Sequence, residues 1–121
     1  MLPPIPSRIL KHNITLRVCS GVDVWQNPQW TSYQIANTVM QPTHETRKNV
    51  NNTEVMLRGL CFIDARRSSP SGLDIQALQQ ASEANGQPMT LVFGGNSYTV
   101  LAVDTLYDDE GNLHHWEVGL T

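Results

Sequence analysis

The sequence predicts a mainly β fold: a small β-barrel or sandwich of about six strands, with one short helix and a long loop between strands two and three. Three observations carry this. Apolar residues alternate with period two through most of the chain, the spacing of half-buried strands. Clusters of glycine, asparagine and proline interrupt those runs at short intervals, as turns do. Only one stretch, "DIQALQQASEANG", changes to helical spacing. At 121 residues and 13.5 kDa the chain fits a single domain, residues 1–121, with residues 1–10 as an extended N-terminal arm.

The arm comes first. In "LPPIP" the rings of Pro3, Pro4 and Pro6 fix φ and restrict the residues before them, so the segment is extended. Being preorganised and apolar, Leu2, Pro3, Pro4, Ile5 and Pro6 form a candidate partner-docking arm, because ordering them against a neighbour costs little entropy. "NITLRVCS" then alternates, with Ile14, Leu16 and Val18 on one face of a strand. "GVDVWQNPQW" carries turn chemistry at Asn27-Pro28, and a second strand over 30–41 has Tyr33, Ile35 and Val39 on one face. "QPTHETRKNVNNTE" holds one aliphatic residue, Val50, and no period, so it reads as a long mobile loop.

"EVMLRGLCFIDA" is apolar on both faces apart from Glu54 and Arg58, the pattern of a centrally placed strand. "RRSSPSG" ends it. In the helical stretch Ile75, Leu78 and Ala81 share a face, Asp74 caps the start and Asn85-Gly86 offers a left-handed stop. "MTLVF" and "YTVLAVDTL", joined by "GGNS", form the sharpest hairpin signal in the chain, because its glycines and asparagine tolerate positive φ. "YDDEGN" turns the chain into a terminal strand over 113–120. Alternation there places His114, Trp116, Val118 and Leu120 on one face and Leu113, His115, Glu117 and Gly119 on the other. The two histidines then point apart, which suits a structural closing strand built on His114, Trp116 and Val118 better than a metal site or proton relay, whose groups must converge.

Composition narrows the function. A net charge of −3 and a pI near 5.7 argue against charge-driven nucleic-acid binding. Charged residues make up 16% of the chain, against about 25% in ordinary domains, while Asn, Gln, Ser and Thr together number 35. Uncharged polar groups are cheaper to desolvate than charges, which points to a surface largely covered by partners. Cys19 and Cys61 lie in β-patterned apolar runs and read as buried free thiols rather than a disulfide. No basic start precedes an apolar stretch and no run approaches membrane-spanning length, so the expectation is synthesis in a cytosol and no membrane partner.

Catalytic, metal and cofactor signals are not found. The acidic cluster Asp104, Asp108, Asp109 and Glu110 lacks the ligand spacing of a calcium loop, and "DDEGN" has the chemistry of a turn ending in a left-handed glycine. "FGGNSY" leads into a strand, so it lacks the helix N-terminus of a phosphate loop. Trp25, Trp30 and Tyr33 could form a base-stacking platform, the basis of an alternative reading as a β-barrel module for single-stranded nucleic acid. The acidic balance favours aromatics that close one end of a barrel core. A small metal-dependent β-barrel enzyme is a more distant alternative.

"LPPIPSRIL", "GVDVWQNPQW", "NNTEVMLRGLCFID" and "GGNSYTVLAVDTLYDDEGNLHHWEV", in that order, resemble the tailed-bacteriophage minor capsid family and, through it, the head-closure or stopper proteins of siphophage head-to-tail connectors. The resemblance runs over nearly the whole chain and departs from it at 66–88. It implies a non-enzymatic virion protein at the head-tail junction: a small β-barrel forming a ring, expected to be a dodecamer, below portal and adaptor proteins and above a tail-completion protein. It also implies a loop between two strands that projects into the lumen as a plug against packaged DNA. By order and composition the matching loop is Thr43, His44, Glu45, Thr46, Arg47, Lys48, Asn49, Val50, Asn51, Asn52 and Thr53.

Overall fold

The computed structural model describes residues 10–43, 46–48, 53–69 and 72–121. The arm at Leu2, Pro3, Pro4, Ile5 and Pro6 lies outside the described residues, as do His44, Glu45, Asn49, Val50, Asn51 and Asn52 of the expected plug loop. Six antiparallel strands close into a barrel: β1 (His12–Val22), β2 (Pro28–Pro42), β5 (Gly59–Asp64), β8 (Leu113–Leu120), β7 (Asn96–Tyr107) and β6 (Thr90–Phe93), in that order, with β6 returning to β1. A separate two-stranded hairpin, β3 (Thr46–Lys48) with β4 (Glu54–Met56), leaves the barrel between β2 and β5. The helix α1 (Ile75–Ala84) packs on β1 and β7.

Alternation builds the core. Ile14, Leu16 and Val18 of β1 point inward with Ile35 of β2, Cys61 and Ile63 of β5, Leu91 of β6, Val100 and Val103 of β7, and Trp116, Val118 and Leu120 of β8. Closure gives each barrel strand two hydrogen-bonded neighbours over part of its length; β1 meets β6 only at Thr15–Arg17 and β2 meets β5 only at Thr38–Pro42. β6 and β7 are joined through Gly94 and Gly95, both at positive φ (59° and 80°), with Phe93 opposite Asn96. Two central residues at positive φ match the strand twist, so the turn is tighter than the four residues "GGNS".

The alternation breaks at bulges, where two residues on one strand oppose one on the next, or three oppose two. On β2, Ile14 pairs with Ile35 but His12 with Thr38, and Asn37 there has φ 61°. The inward face consequently passes from Ile35 to Thr38, which is fully buried, and to Met40; Val39, expected beside Tyr33 and Ile35, is left outside the core. On β1 a second shift lies between Cys19 and Gly21, and the pairing with β6 ends at Arg17, short of Cys19. The helix takes up the Cys19 backbone: the Ser82 hydroxyl accepts from the Cys19 N–H (2.9 Å) and the Asn85 side-chain amide donates to the Cys19 carbonyl (2.9 Å). Ser82 is therefore buried, while Ala81, expected on the inner face with Ile75, is exposed. The helix is capped where its sequence indicates, with Asp74 Oδ1 accepting from the Ala77 N–H (3.2 Å) and Gly86 at φ 85° beyond its end.

Candidate assembly surface

Two hairpins and the end of β8 hold the residues singled out in the sequence. The β1–β2 connection is a cradle around Asp23. Its Oδ1 accepts from the backbone N–H groups of Trp25 (2.8 Å) and Asn27 (2.9 Å), and the Asn27 carbonyl accepts from the Asp23 N–H (3.0 Å). The Asn27 N–H first, and the Trp25 N–H as well, stabilise the ionised form and hold the Asp23 carboxyl below its ordinary range. A loop fixed this way displays apolar side chains in water: Val24 is 87% and Trp25 81% exposed. Trp25 thus projects from the barrel instead of closing its core.

Trp30 lies on the outer face of β2 beneath the Arg17 guanidinium, 5.1 Å from the ring centroid, whereas Tyr33 packs against the core. Tyr33, on the inward face, is therefore separated from Trp25 and Trp30, and the three do not share one face. The sequence signal for the display was present in Asp23 and Asn27, four residues apart, a spacing that lets one carboxylate hold a turn.

The segment from Thr43 to Thr53, expected to be an unstructured loop, carries a strand. Thr46 pairs with Met56, Arg47 with Val55 and Lys48 with Glu54. The hairpin is tied to the barrel at its base, where the Thr43 N–H donates to the Arg58 carbonyl (3.3 Å). Its polar sequence hid this pairing, because a two-stranded ribbon away from the core has no buried face to impose an apolar period.

The terminal strand departs from simple alternation at its start. Leu106 pairs with His115 and Tyr107 with Leu113, so His114 is the extra residue of a bulge. As a result Leu113 packs on the core together with Trp116 and Val118, and His114 leaves the inward face it was expected to share with them. The histidines do not point apart. Their Nδ1 atoms are 2.7 Å from one another, a contact in which one ring must donate and the other accept, and the rings are edge to face at 5.0 Å. His115 Nε2 also lies 3.5 Å from Glu117 Oε1.

The turn before the bulge is organised by Asp108, whose Oδ1 accepts from the Glu110 (3.0 Å) and Asn112 (2.9 Å) N–H groups, with Gly111 at φ 82°. Burial acts to raise this carboxyl, but the Asn112 and Glu110 N–H groups and the charge on His114 outweigh it, and it sits below the ordinary range. Asp108, Asp109 and Glu110 of the acidic cluster thus form a turn, while Asp104 lies within β7 opposite Glu117.

Among the described residues no three of His, Cys, Asp and Glu come together to hold a metal ion, and no helix is long and apolar enough to cross a membrane. His12 is structural, its Nδ1 accepting from the Met40 N–H (2.9 Å). Cys19 and Cys61 are free and buried, and burial pushes the Cys61 thiol up to about 12. No protein-family model matches the chain, and no curated protein matches it significantly.

Proposed function

We propose that the protein is a non-enzymatic component of a bacteriophage head-to-tail connector, a head-completion or stopper protein that forms a ring below portal and adaptor, retains packaged DNA and docks the tail. The observation that carries this reading is a closed barrel from which two hairpins project: the Asp23 loop bearing Val24 and Trp25, and the β3–β4 ribbon between β2 and β5. Beside these projections, β2 from Pro28 to Asn37 pairs only with β1 apart from the Ala36–Ser69 bridge, which leaves a sheet edge that a neighbour can also engage. The rigid apolar loop supplies a docking knob, because an ordered Trp and Val lose little entropy on burial. The β3–β4 ribbon lies where the resemblance places the channel plug, with Arg47 and Lys48 in the segment that would meet DNA phosphates. The sparse charge of the surface fits a protein covered by partners on several sides.

The test is reconstitution on DNA-filled capsids carrying portal and adaptor rings. The expected result is stoichiometric attachment as a ring of uniform mass, with the DNA becoming resistant to nuclease. Failure to attach to such capsids at any concentration would overturn the reading.

A further inference from the structure

Between the start of α1 and the paired ends of β7 and β8 lies a cleft of about 250 Å³, walled by Leu73, Thr105, Tyr107, Leu113 and Trp116, with Asp74 at the helix cap. It is below the roughly 300–1,000 Å³ of small-molecule sites and is sized for a few side chains. Two features give it a chemistry. Tyr107 stands at the cleft 62% exposed, an aromatic face open to a ligand. Trp116 is 5% exposed, and its buried indole Nε1 has no hydrogen-bond partner. An unpaired buried donor is unfavourable, and an acceptor entering the cleft would relieve it.

Aromatic walls with an indole N–H donor recognise polyproline II peptides. Such a backbone makes no internal hydrogen bonds, so its carbonyls are free to accept, and proline rings pack flat on aromatic faces. This chain contains one segment of that kind, Leu2 to Pro6, with prolines at 3, 4 and 6. We propose that the cleft is a binding site for a polyproline II segment and that its occupant is the Leu2–Pro6 stretch of a neighbouring copy.

Reach favours an adjacent copy. β8, which bears Trp116, is three strands from β1 in either direction around the barrel, a half circuit of about 14 Å at the backbone. Leu10 is buried beside the start of β1, and the four residue steps from it to Pro6 span at most about 14 Å. At full extension those steps only just match that half circuit, whereas an adjacent copy receives the segment without stretching it. A contact with ligand on one copy and site on the next is heterologous, the type that closes into rings. The inference deepens the ring reading and rests on it for the adjacent copy.

The experiment uses two full-length variants, one with Pro3, Pro4 and Pro6 all changed to Gly, which keeps the cleft, and Tyr107→Ala, which keeps the arm. The synthetic peptide MLPPIPSR added to the triple-glycine variant should shift the Trp116 indole N–H resonance, identified by its loss in Trp116→Phe. It should bind at least tenfold more weakly to Tyr107→Ala, a change at an exposed position that leaves the core intact. Each variant alone should lose self-association, and the two mixed should recover a single junction and form a one-to-one dimer by sedimentation. An unmoved indole resonance, or a mixture that stays monomeric, would overturn the proposal. So would an arm-dependent shift in a wild-type monomer that persists on dilution, since that places the segment in its own cleft. Capsid attachment separates the two ideas: peptide binding without attachment sinks the ring reading alone, and normal rings from both variants sink the arm-and-cleft contact alone.

Discussion

His114, His115 and Trp116 are consecutive, yet the bulge at His114 separates them into two environments, two imidazoles in contact with each other and an indole in the core. Their substitutions should differ accordingly. Trp116→Ala removes a core side chain and should lower unfolding free energy by roughly 3–5 kcal/mol in chemical denaturation. The double change of His114 and His115 to Ala should cost under about 1 kcal/mol, because neither ring is part of the core. Cys61 offers a third residue-level test. Its thiol is raised from 9.0 to about 12 by burial first, against a smaller opposing effect of Thr38. A raised value means that the folded protein favours the protonated form, so the contribution is fully present below pH 9 and is lost as pH rises through 12. The loss should reach roughly 4 kcal/mol at most, from about 1.4 kcal/mol per unit. The melting temperature should therefore fall between pH 9 and 12, and Cys61→Val should flatten that limb; an equal fall in the variant would assign it to other groups.

At the scale of elements, what was legible depended on whether a residue type carried the signal. The Gly94-Gly95 turn, the Asp74 cap, the Gly86 stop and the Asp108 turn were readable because each conformation demands those side chains. Bulges are marked by almost nothing, since many residues fit the extra position, and each one reverses the inside and outside of the strand beyond it. That is why Val39 and His114 leave the faces their spacing predicts, and why Thr38 and Leu113 turn inward instead. The β2 bulge is held from another element. Ser68 Oγ accepts from the Asp64 N–H (2.9 Å) and donates to the Asn37 carbonyl (2.6 Å), while the Asn37 side-chain amide donates to the Arg67 carbonyl (3.2 Å). Asn37 at φ 61° is tolerable for asparagine and strained for a β-branched residue. Asn37→Val should accordingly cost about 2 kcal/mol or more, from left-handed strain plus the lost hydrogen bond. Asn37→Gly keeps the conformation and should cost clearly less. If both variants melt together, backbone conformation is not what the position requires.

For the whole molecule, closure divides the chain into a part that makes the fold and parts that the fold carries. The six barrel strands and α1 supply the core, and among the described residues β3 and β4 contribute nothing to it. The ribbon's connection can be shortened without opening the barrel, because β2 and β5 remain paired from Thr38↔Ile63 to Pro42↔Gly59. Deleting Glu45 to Asn52 removes β3 and leaves a shorter link from Thr43 to Thr53. Halving a loop changes closure entropy by about 0.6 kcal/mol in the stabilising direction, against the loss of one short ribbon exposed to water. The melting temperature should thus stay within a few degrees of wild type. Capsid attachment should also persist, because the Asp23 loop and the cleft at α1 are built from other residues. If the ribbon is the plug, the same deletion should leave packaged DNA open to nuclease in capsids that carry the truncated ring. Melting, attachment and DNA protection measured on one variant separate the possibilities. Collapse of the melting temperature would make the ribbon part of the fold, and protected DNA behind a truncated ring would place closure in another segment of the connector.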